Sequence, residues 1–129
     1  MRKRWLKNMK SLIDANVILR YLLADHPQMS EQSKQIIERG AFTIPEVLAE
    51  VVYVLKRVYG ISRIEIANTL IDFLEEIHMK DKEVMSFSLQ LFAETSLDFV
   101  DCILIARHRK LGDNVISFDK KLNKKLDVN

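Results

Sequence analysis

The apolar residues of this chain alternate between short unbroken runs and longer stretches with helical spacing. Short runs bounded by turn residues are typical of buried strands, whereas apolar residues three and four apart are typical of helices. Three runs predict strands, at residues 11–14, 41–44 and 115–118, and a fourth short strand is expected near residues 126–128. Between residues 77 and 97 the weaker pattern indicates a short extended piece and then a helix from about residue 82 to residue 95.

Helical spacing predicts five further helices, each with a start or stop signal in the sequence. In chain order, one follows the first strand, and the others begin at Ser30, at Pro45, after Ser62 and at Asp98. Strands and helices therefore alternate along the chain. This order predicts an α/β domain with a mostly parallel sheet.

The chain has 129 residues, which is the size of one domain. It contains no internal repeat, linker or low-complexity segment, so we expect a single domain over residues 1–129. A start of translation at Met9 would make residues 1–8 an optional basic N-terminal tail.

The composition excludes several classes of protein, among them disordered and membrane-spanning ones. Apolar residues make up 48% and charged residues 29% of the chain, which argues against disorder. No apolar run is long enough for a membrane span, and Asp14 and Arg20 interrupt the only stretch that resembles a signal peptide. The single cysteine, Cys102, excludes an internal disulfide and a zinc site built on cysteines. We expect a cytoplasmic protein with no membrane partner.

The charges are distributed unevenly along the chain. Residues 1–10 contain five basic and no acidic residues, and residues 107–129 contain seven basic and three acidic ones. The region between them is acidic, with 8 basic and 15 acidic residues. This distribution fits a carboxylate-lined site flanked by cationic segments that hold a polyanion. Ordinary solvated helix faces would explain the same charges about equally well.

Five carboxylates fall where the predicted elements begin or end. Asp14 and Asp119 each follow a predicted strand, and Glu50 lies about one turn into the helix after the second strand. Asp98 and Asp101 share the first turn of their helix. Because ligands of open α/β sheets bind at the carboxyl ends of the strands, these side chains are expected at one edge of the sheet.

Each carboxylate also has a purely structural interpretation. Asp14 and Asp98 could cap helices, Asp98 and Asp101 could form a capping box, Glu50 could be solvated, and Asp119 could close a turn. However, Asp14, Glu50 and Asp101 are set into apolar sequence, where desolvation is unfavourable without a cation. If they converge, their repulsion should raise the pKa of at least one of them.

The four acidic segments together resemble a known family. Residues 11–16, 44–55, 97–106 and 116–122 are similar to the four acidic blocks of PIN-domain nucleases, and most similar to those of VapC-type toxins. The resemblance covers nearly the whole chain, in the family's order. One departure is Cys102, where the family commonly has Ala after the third acid. The resemblance implies a PIN-like three-layer α/β/α domain with a mostly parallel central sheet.

The resemblance also implies metal-dependent cleavage of RNA. It implies that Asp14, Glu50, Asp101 and Asp119 bind the metal and that Asp98 holds or activates the attacking water. The family pattern leaves open whether Asp98 or Asp101 is the closer ligand and favours Asp101. Carboxylate oxygens are hard ligands that suit Mg²⁺ or Mn²⁺. A bound ion can lower the pKa of a water and stabilise the charge that develops on the phosphate. The toxin subgroup further implies a type II toxin–antitoxin system, a homodimer and a cognate antitoxin protein that blocks the site.

Several polar and aromatic residues lie near these segments. Asn16 and Ser117 could orient a carboxylate or contact phosphate, but a turn or cap explains them better. Arg107 could contact phosphate or complement the C-terminal end of its helix. Tyr53 and Tyr59 are expected, with Leu55, to be core or dimer contacts rather than base-stacking groups.

Two other functions remain as alternatives. A non-catalytic PIN-fold interaction or RNA-binding module would keep the fold without cleavage, although retention of all four acidic blocks argues against it. A phosphatase of the haloacid dehalogenase type needs a second Asp two residues after the first, where this chain has Asn16.

Overall fold

The computed structural model describes residues 10–127, so the basic tail proposed for residues 1–8 lies outside the described part. Across residues 10–127 there are two short strands and seven helices. The strands are β1 (Ser11–Leu12) and β2 (Ala41–Phe42). The helices are α1 (Ala15–Leu23), α2 (Pro27–Glu38), α3 (Pro45–Arg57), α4 (Arg63–Leu74), α5 (Lys82–Glu94), α6 (Phe99–Leu111) and α7 (Lys120–Leu126).

The two strands pair in parallel, with Ser11 opposite Ala41 and Leu12 opposite Phe42. On its other side, Phe42 forms a parallel bridge with His78, which is the extended piece expected after residue 77. The backbone N–H groups of Thr43 and His78 each donate across this bridge over 3.1 Å. The expected α/β class with a parallel sheet is therefore confirmed, but the sheet is small and the helices make up most of the domain.

Two of the predicted strands are wrong. Residues 115–118 cross the surface without joining the sheet, and the side chains of Ile116 and Phe118 are 82% and 101% exposed. The strand expected near residues 126–128 is instead helix α7 as far as Leu126, and Val128 lies outside the described residues. Leu122 and Leu126 are one helical turn apart and both are buried, which favours helix over strand.

The six predicted helices are confirmed, with one corrected start. Helix α2 begins at Pro27 rather than Ser30, because proline suits the first helical position and His26 Nδ1 accepts a hydrogen bond from the Met29 N–H over 3.3 Å. Ser62 caps α4 as expected, accepting from the Glu65 N–H over 3.2 Å. None of the helices within residues 10–127 is long and apolar enough to cross a membrane.

The core consists of apolar side chains from all these helices. Helix α5 packs between α4 and α6, while α1 packs against α2 and α3, and α7 packs against α6. Phe73, Phe92 and Leu89 are among the fully buried side chains where α4, α5 and α6 meet. Burial of each such side chain contributes roughly 1.5–3 kcal/mol, so this packing holds α5 against α4 and α6.

Candidate active site

Asp14 and Asp119 each sit at the N-terminal end of a helix. Asp14 Oδ1 accepts a hydrogen bond from the Val17 N–H over 3.1 Å at the start of α1, directly after the first strand. Asp119 Oδ1 accepts from the Leu122 N–H over 2.9 Å at the start of α7. The capping interpretation is therefore correct for Asp14, whereas Asp119, which was expected only to close a turn, also caps a helix. Each cap uses one carboxylate oxygen, and a carboxylate has further acceptor sites for another ligand.

Asp98 and Asp101 lie at the start of α6. Asp98 occupies the N-cap position but accepts no capping hydrogen bond, so the capping box considered for this pair does not form. Its side chain is exposed, whereas Asp101 is half-buried. Since both belong to the first helical turn, their carboxylates share the end of α6 where backbone N–H groups favour negative charge.

Asp101 is the carboxylate with a perturbed acidity. Burial is the main cause that raises its pKa, and the negative charges of Asp98 and Asp119 raise it further. Lys121 opposes this rise with its positive charge. The expectation that at least one of the five carboxylates has a raised pKa is met. Asp98, Asp101 and Asp119 therefore form one electrostatic group, built from the N-terminal ends of α6 and α7.

Asp14 and Glu50 do not contribute to the pKa of Asp101, and both are exposed. The argument that apolar neighbours in sequence imply a desolvated carboxylate is thus wrong for these two. Helix α3 buries Val51 and Val52 and turns Glu50 toward solvent. Within residues 10–127, no three acidic, histidine or cysteine side chains stand close enough to hold a metal ion as they are placed.

Arg63 is a residue that the sequence reasoning missed. Its guanidinium group donates from Nε to the Phe92 carbonyl oxygen over 2.7 Å and from Nη2 to the Leu97 carbonyl oxygen. It also lies 3.7 Å from the centre of the Phe92 ring. Burial lowers the pKa of Arg63, while the nearby Cys102 and Asp98 oppose that change. Arg63 therefore ties α4 to the end of α5 and to the turn that leads into Asp98.

A groove of about 510 Å³ lies beside the carboxylates of α6. Its polar lining combines Asp98 and Asp101 with three cationic side chains, and its apolar lining includes exposed Tyr53 and Val100. The cationic side chains are Lys56, Arg57 and Arg63. Such a surface can accept a phosphate backbone next to carboxylates. No pattern in the sequence indicates that the C-terminal end of α3 contributes to it.

Only one of the three residues that were expected to be core or dimer contacts lies in the core. Leu55 is 2% exposed and belongs to the core, as expected. Tyr53 and Tyr59 are 62% and 41% exposed and are not core residues. Tyr59 accepts a long hydrogen bond of 3.5 Å from Arg20, whereas Tyr53 lines the groove.

The remaining predicted residues take structural positions. Asn16 is exposed on the first turn of α1. Ser117 Oγ accepts from the Asp119 N–H over 3.0 Å, which is the turn expected for it. Arg107 forms an exposed ion pair with Asp113, with 2.7 Å between Nε and Oδ2, near the C-terminal end of α6. By contrast, Lys121, which was not singled out, donates to Ser96 Oγ and acts on Asp101.

A protein-family model of the PIN domain matches residues 11–126 of the chain. Neither the curated proteins nor the solved structures contain a match to this chain. The matched range contains all five carboxylates. PIN domains are generally Mg²⁺-dependent nucleases and typically bind divalent metal ions.

Proposed function

Because the chain belongs to the PIN domain family, we propose that it is a metal-dependent endoribonuclease that hydrolyses RNA phosphodiester bonds. The observation that carries this proposal is the group formed by Asp98, Asp101 and Asp119. Burial raises the pKa of Asp101, and the negative charges of Asp98 and Asp119, at the ends of two helices, raise it further. Functional sites are where such mutually unfavourable charges are retained.

The donor set fits a hard divalent ion such as Mg²⁺ or Mn²⁺. All the candidate ligands are carboxylates. Burial and the negative charges of Asp98 and Asp119 raise the pKa of Asp101, and a cation would offset the repulsion between these charges. The resemblance implies that Asp14, Glu50, Asp101 and Asp119 would hold the ion, directly or through water, and of these Asp101 and Asp119 act on each other in this structure. When bound, the ion supplies a water of lowered pKa and stabilises negative charge on the phosphate.

The protein's own groups have distinct tasks in this proposal. Asp98 accepts no capping hydrogen bond, so its exposed carboxylate is available to orient the attacking water and accept its proton. Lys121 lies on the same side as Asp101 and can pair with a non-bridging phosphate oxygen. Lys56 and Arg57 extend this positive charge along the groove, where the RNA backbone would lie.

We further propose that the chain is the toxin of a type II toxin–antitoxin pair, similar to VapC-type toxins. The likeness of the four acidic segments to that subgroup supports this assignment. The assignment implies a homodimer and a cognate antitoxin protein that covers the groove. Exposed Tyr53 and Val100 provide apolar surface there for a protein partner. Co-expression with the product of the adjacent reading frame, followed by co-purification and a cleavage assay, tests this pairing.

One observation favours the non-catalytic alternative. The carboxylates of residues 10–127 form no ready-made cluster of three ligands, and two of them serve as helix caps. An interaction or RNA-binding module with this fold would bind RNA without cutting it. No comparable observation favours a haloacid dehalogenase-type phosphatase, which would act on small phosphomonoesters.

The first prediction tests cleavage with a matched pair of variants. Asp101→Asn removes a charge from the proposed site with little change in shape, and we expect at least a 100-fold loss of Mn²⁺-dependent RNA cleavage, on the scale typical of electrostatic stabilisation. Glu83→Gln is the control, because Glu83 lies in the first turn of α5 as Asp101 does in α6, but Glu83 is exposed and Asp101 is half-buried.

Cleavage of a labelled single-stranded RNA is measured with Mn²⁺, with Mg²⁺ and with EDTA. The proposal requires that EDTA abolishes cleavage and that Glu83→Gln leaves it unchanged. Cleavage that survives in EDTA or in Asp101→Asn contradicts it. Hydrolysis of p-nitrophenyl phosphate without RNA cleavage would indicate a phosphatase, and tight RNA binding without any cleavage would indicate the non-catalytic module.

A further inference from the structure

Phe118 is a large aromatic side chain that nothing in residues 10–127 covers. It is 101% exposed, and it immediately precedes Asp119, one of the proposed metal ligands. Exposure alternates along this segment: Val115 packs against the core and Ser117 is half-buried, while Ile116 and Phe118 face solvent. The ring is therefore presented outward by a segment whose other face is held against the protein.

The backbone on both sides of Phe118 is fixed by hydrogen bonds. Ser117 Oγ accepts from the Asp119 N–H over 3.0 Å, and the Ser117 carbonyl oxygen accepts from Asn123 Nδ2 over 2.8 Å. Asp119 in turn caps α7 by accepting from the Leu122 N–H over 2.9 Å. Phe118 thus stands on a turn that is tied to α7 at both neighbouring residues, so the position of the ring is coupled to that of the Asp119 carboxylate.

The helix that begins directly after this turn is rich in lysine. The seven residues of α7 include four exposed lysines and no acidic residue: Lys120, Lys121, Lys124 and Lys125. The ion pairs within 4.0 Å among residues 10–127 are Arg20–Asp25 and Arg107–Asp113, and neither uses a lysine of α7. Lys121 donates to Ser96 Oγ, whereas Lys120, Lys124 and Lys125 are exposed to solvent, where a polyanion can reach them. An exposed aromatic ring next to available cations is the combination that binds single-stranded nucleic acid.

We propose that Phe118 stacks on an unpaired base of the RNA adjacent to the bond that is cut, while the lysines of α7 hold the backbone phosphates. This inference rests on the proposed ribonuclease function and adds a specificity-determining residue to it. A base paired within a duplex does not offer its face to a side chain. Phe118 therefore selects RNA that is unpaired at the cleavage position. Because every base has a π-face, stacking alone discriminates weakly between sequences.

The test measures equilibrium binding of a short fluorescent single-stranded RNA in EDTA, where no cleavage occurs. Phe118→Ala should weaken binding about 5- to 150-fold, which is the range for loss of one base–aromatic stack. Phe118→Trp should bind at least as tightly as the wild type. Ile116→Ala is the matched control, because Ile116 is 82% exposed in the same segment but cannot stack on a base. Its binding should stay within about twofold of the wild type.

Several results would overturn the inference. These are unchanged binding in Phe118→Ala, an equal loss in Ile116→Ala, or full retention in Phe118→Leu, which keeps apolar bulk without a flat ring. Sedimentation of the same variants separates RNA binding from self-association. If Phe118→Ala changes the oligomeric state but not the affinity for RNA, this surface binds a second copy of the chain and the inference is wrong.

Failure of this inference and failure of the proposed function are distinguishable. If Asp101→Asn abolishes cleavage but Phe118→Ala leaves both RNA affinity and KM unchanged, the ribonuclease assignment stands and the stacking role is wrong. If the wild type cleaves no RNA but Phe118→Ala loses RNA affinity selectively, the stacking surface stands on a protein that only binds RNA.

Discussion

At Asp101, burial and two neighbouring carboxylates act in the same direction on one side chain. Burial disfavours the charged form, and Asp98 and Asp119 add repulsion, so the pKa of Asp101 lies above its ordinary value of 3.8. The folded protein therefore binds this proton more tightly than the unfolded chain does. As the pH rises from the ordinary value through the raised pKa, the free energy of unfolding falls, and above that range the loss is constant.

The direction of this pKa shift leads to a prediction for a single substitution at Asp101. Asp101→Asn should raise the melting temperature of the metal-free protein at neutral pH by about 1–3 °C. A shift of this size corresponds to a small increase in the free energy of unfolding of a domain of this size. The gain should shrink as the pH is lowered toward 4, because the wild-type carboxyl group then becomes protonated. Thermal melts in EDTA between pH 4 and pH 8 measure both effects.

Glu83→Gln again provides the comparison, since it removes a first-turn carboxylate that stabilises its helix end by about 0.3–1 kcal/mol. That variant should be slightly less stable than the wild type at neutral pH. If Asp101→Asn is destabilised to the same extent, Asp101 behaves as an ordinary helix-end acid and the repulsion assigned to it is absent.

At the scale of elements, the start of α6 depends on a side chain from another helix. Arg63 on α4 donates to the carbonyl oxygens of Phe92 and Leu97 and stacks on the Phe92 ring. These contacts hold the turn between α5 and α6 that leads into Asp98. Asp98, the proposed proton acceptor, is thus positioned by the guanidinium group of Arg63, which donates to backbone carbonyl oxygens.

Removal of this group is the prediction at the element scale. Arg63→Met keeps much of the side-chain length but leaves two carbonyl oxygens without their charged donor, which should lower the free energy of unfolding by about 1.5–3 kcal/mol. Arg107→Met is the matched control, because its exposed ion pair with Asp113 should contribute only about 0–1 kcal/mol. Urea unfolding of both variants measures the difference. Equal losses would mean that Arg63 is no more than another surface arginine.

The same elements show which parts of the fold the sequence could predict. Six helices and the strands at residues 11–14 and 41–44 were predictable, because each has an apolar pattern with local stop signals. Residues 115–118 have the same apolar pattern but no strand beside them, and pairing is a property of the fold rather than of the segment. Helix α7 was missed because only Leu122 and Leu126 bury among its lysines.

The candidate site could likewise be predicted only in part from the sequence. Carboxylates at element boundaries were found from the sequence, since caps and strand ends are local features. The role of Arg63 depends on carbonyl oxygens 29 and 34 residues away in the chain, which no local pattern reveals. The exposure of Glu50 likewise depends on which face of α3 meets the core. These assignments need the packing of the whole domain.

At the scale of the whole molecule, the site joins regions that are distant in sequence and that carry opposite charge. The acidic residues of α6 meet the lysine-rich helix α7, and Lys121 already reduces the effect of the carboxylates on Asp101. The positive charge of Lys121 thus offsets part of the repulsion among these carboxylates. A cation bound at the native site would offset the rest.

Addition of metal to the wild type therefore gives the last prediction. A cation that binds only the native state stabilises it by about 2.7 kcal/mol when its free concentration is 100 times Kd. Millimolar Mn²⁺ should thus raise the melting temperature of the wild type by several degrees over its value in EDTA, and that of Asp101→Asn much less. Glu83→Gln should respond as the wild type does, and Ca²⁺ should serve as a second hard cation that binds without supporting cleavage. If Mn²⁺ shifts the wild type and Asp101→Asn equally, the ion binds elsewhere, and the carboxylates of α6 and α7 are part of the scaffold rather than of a metal site.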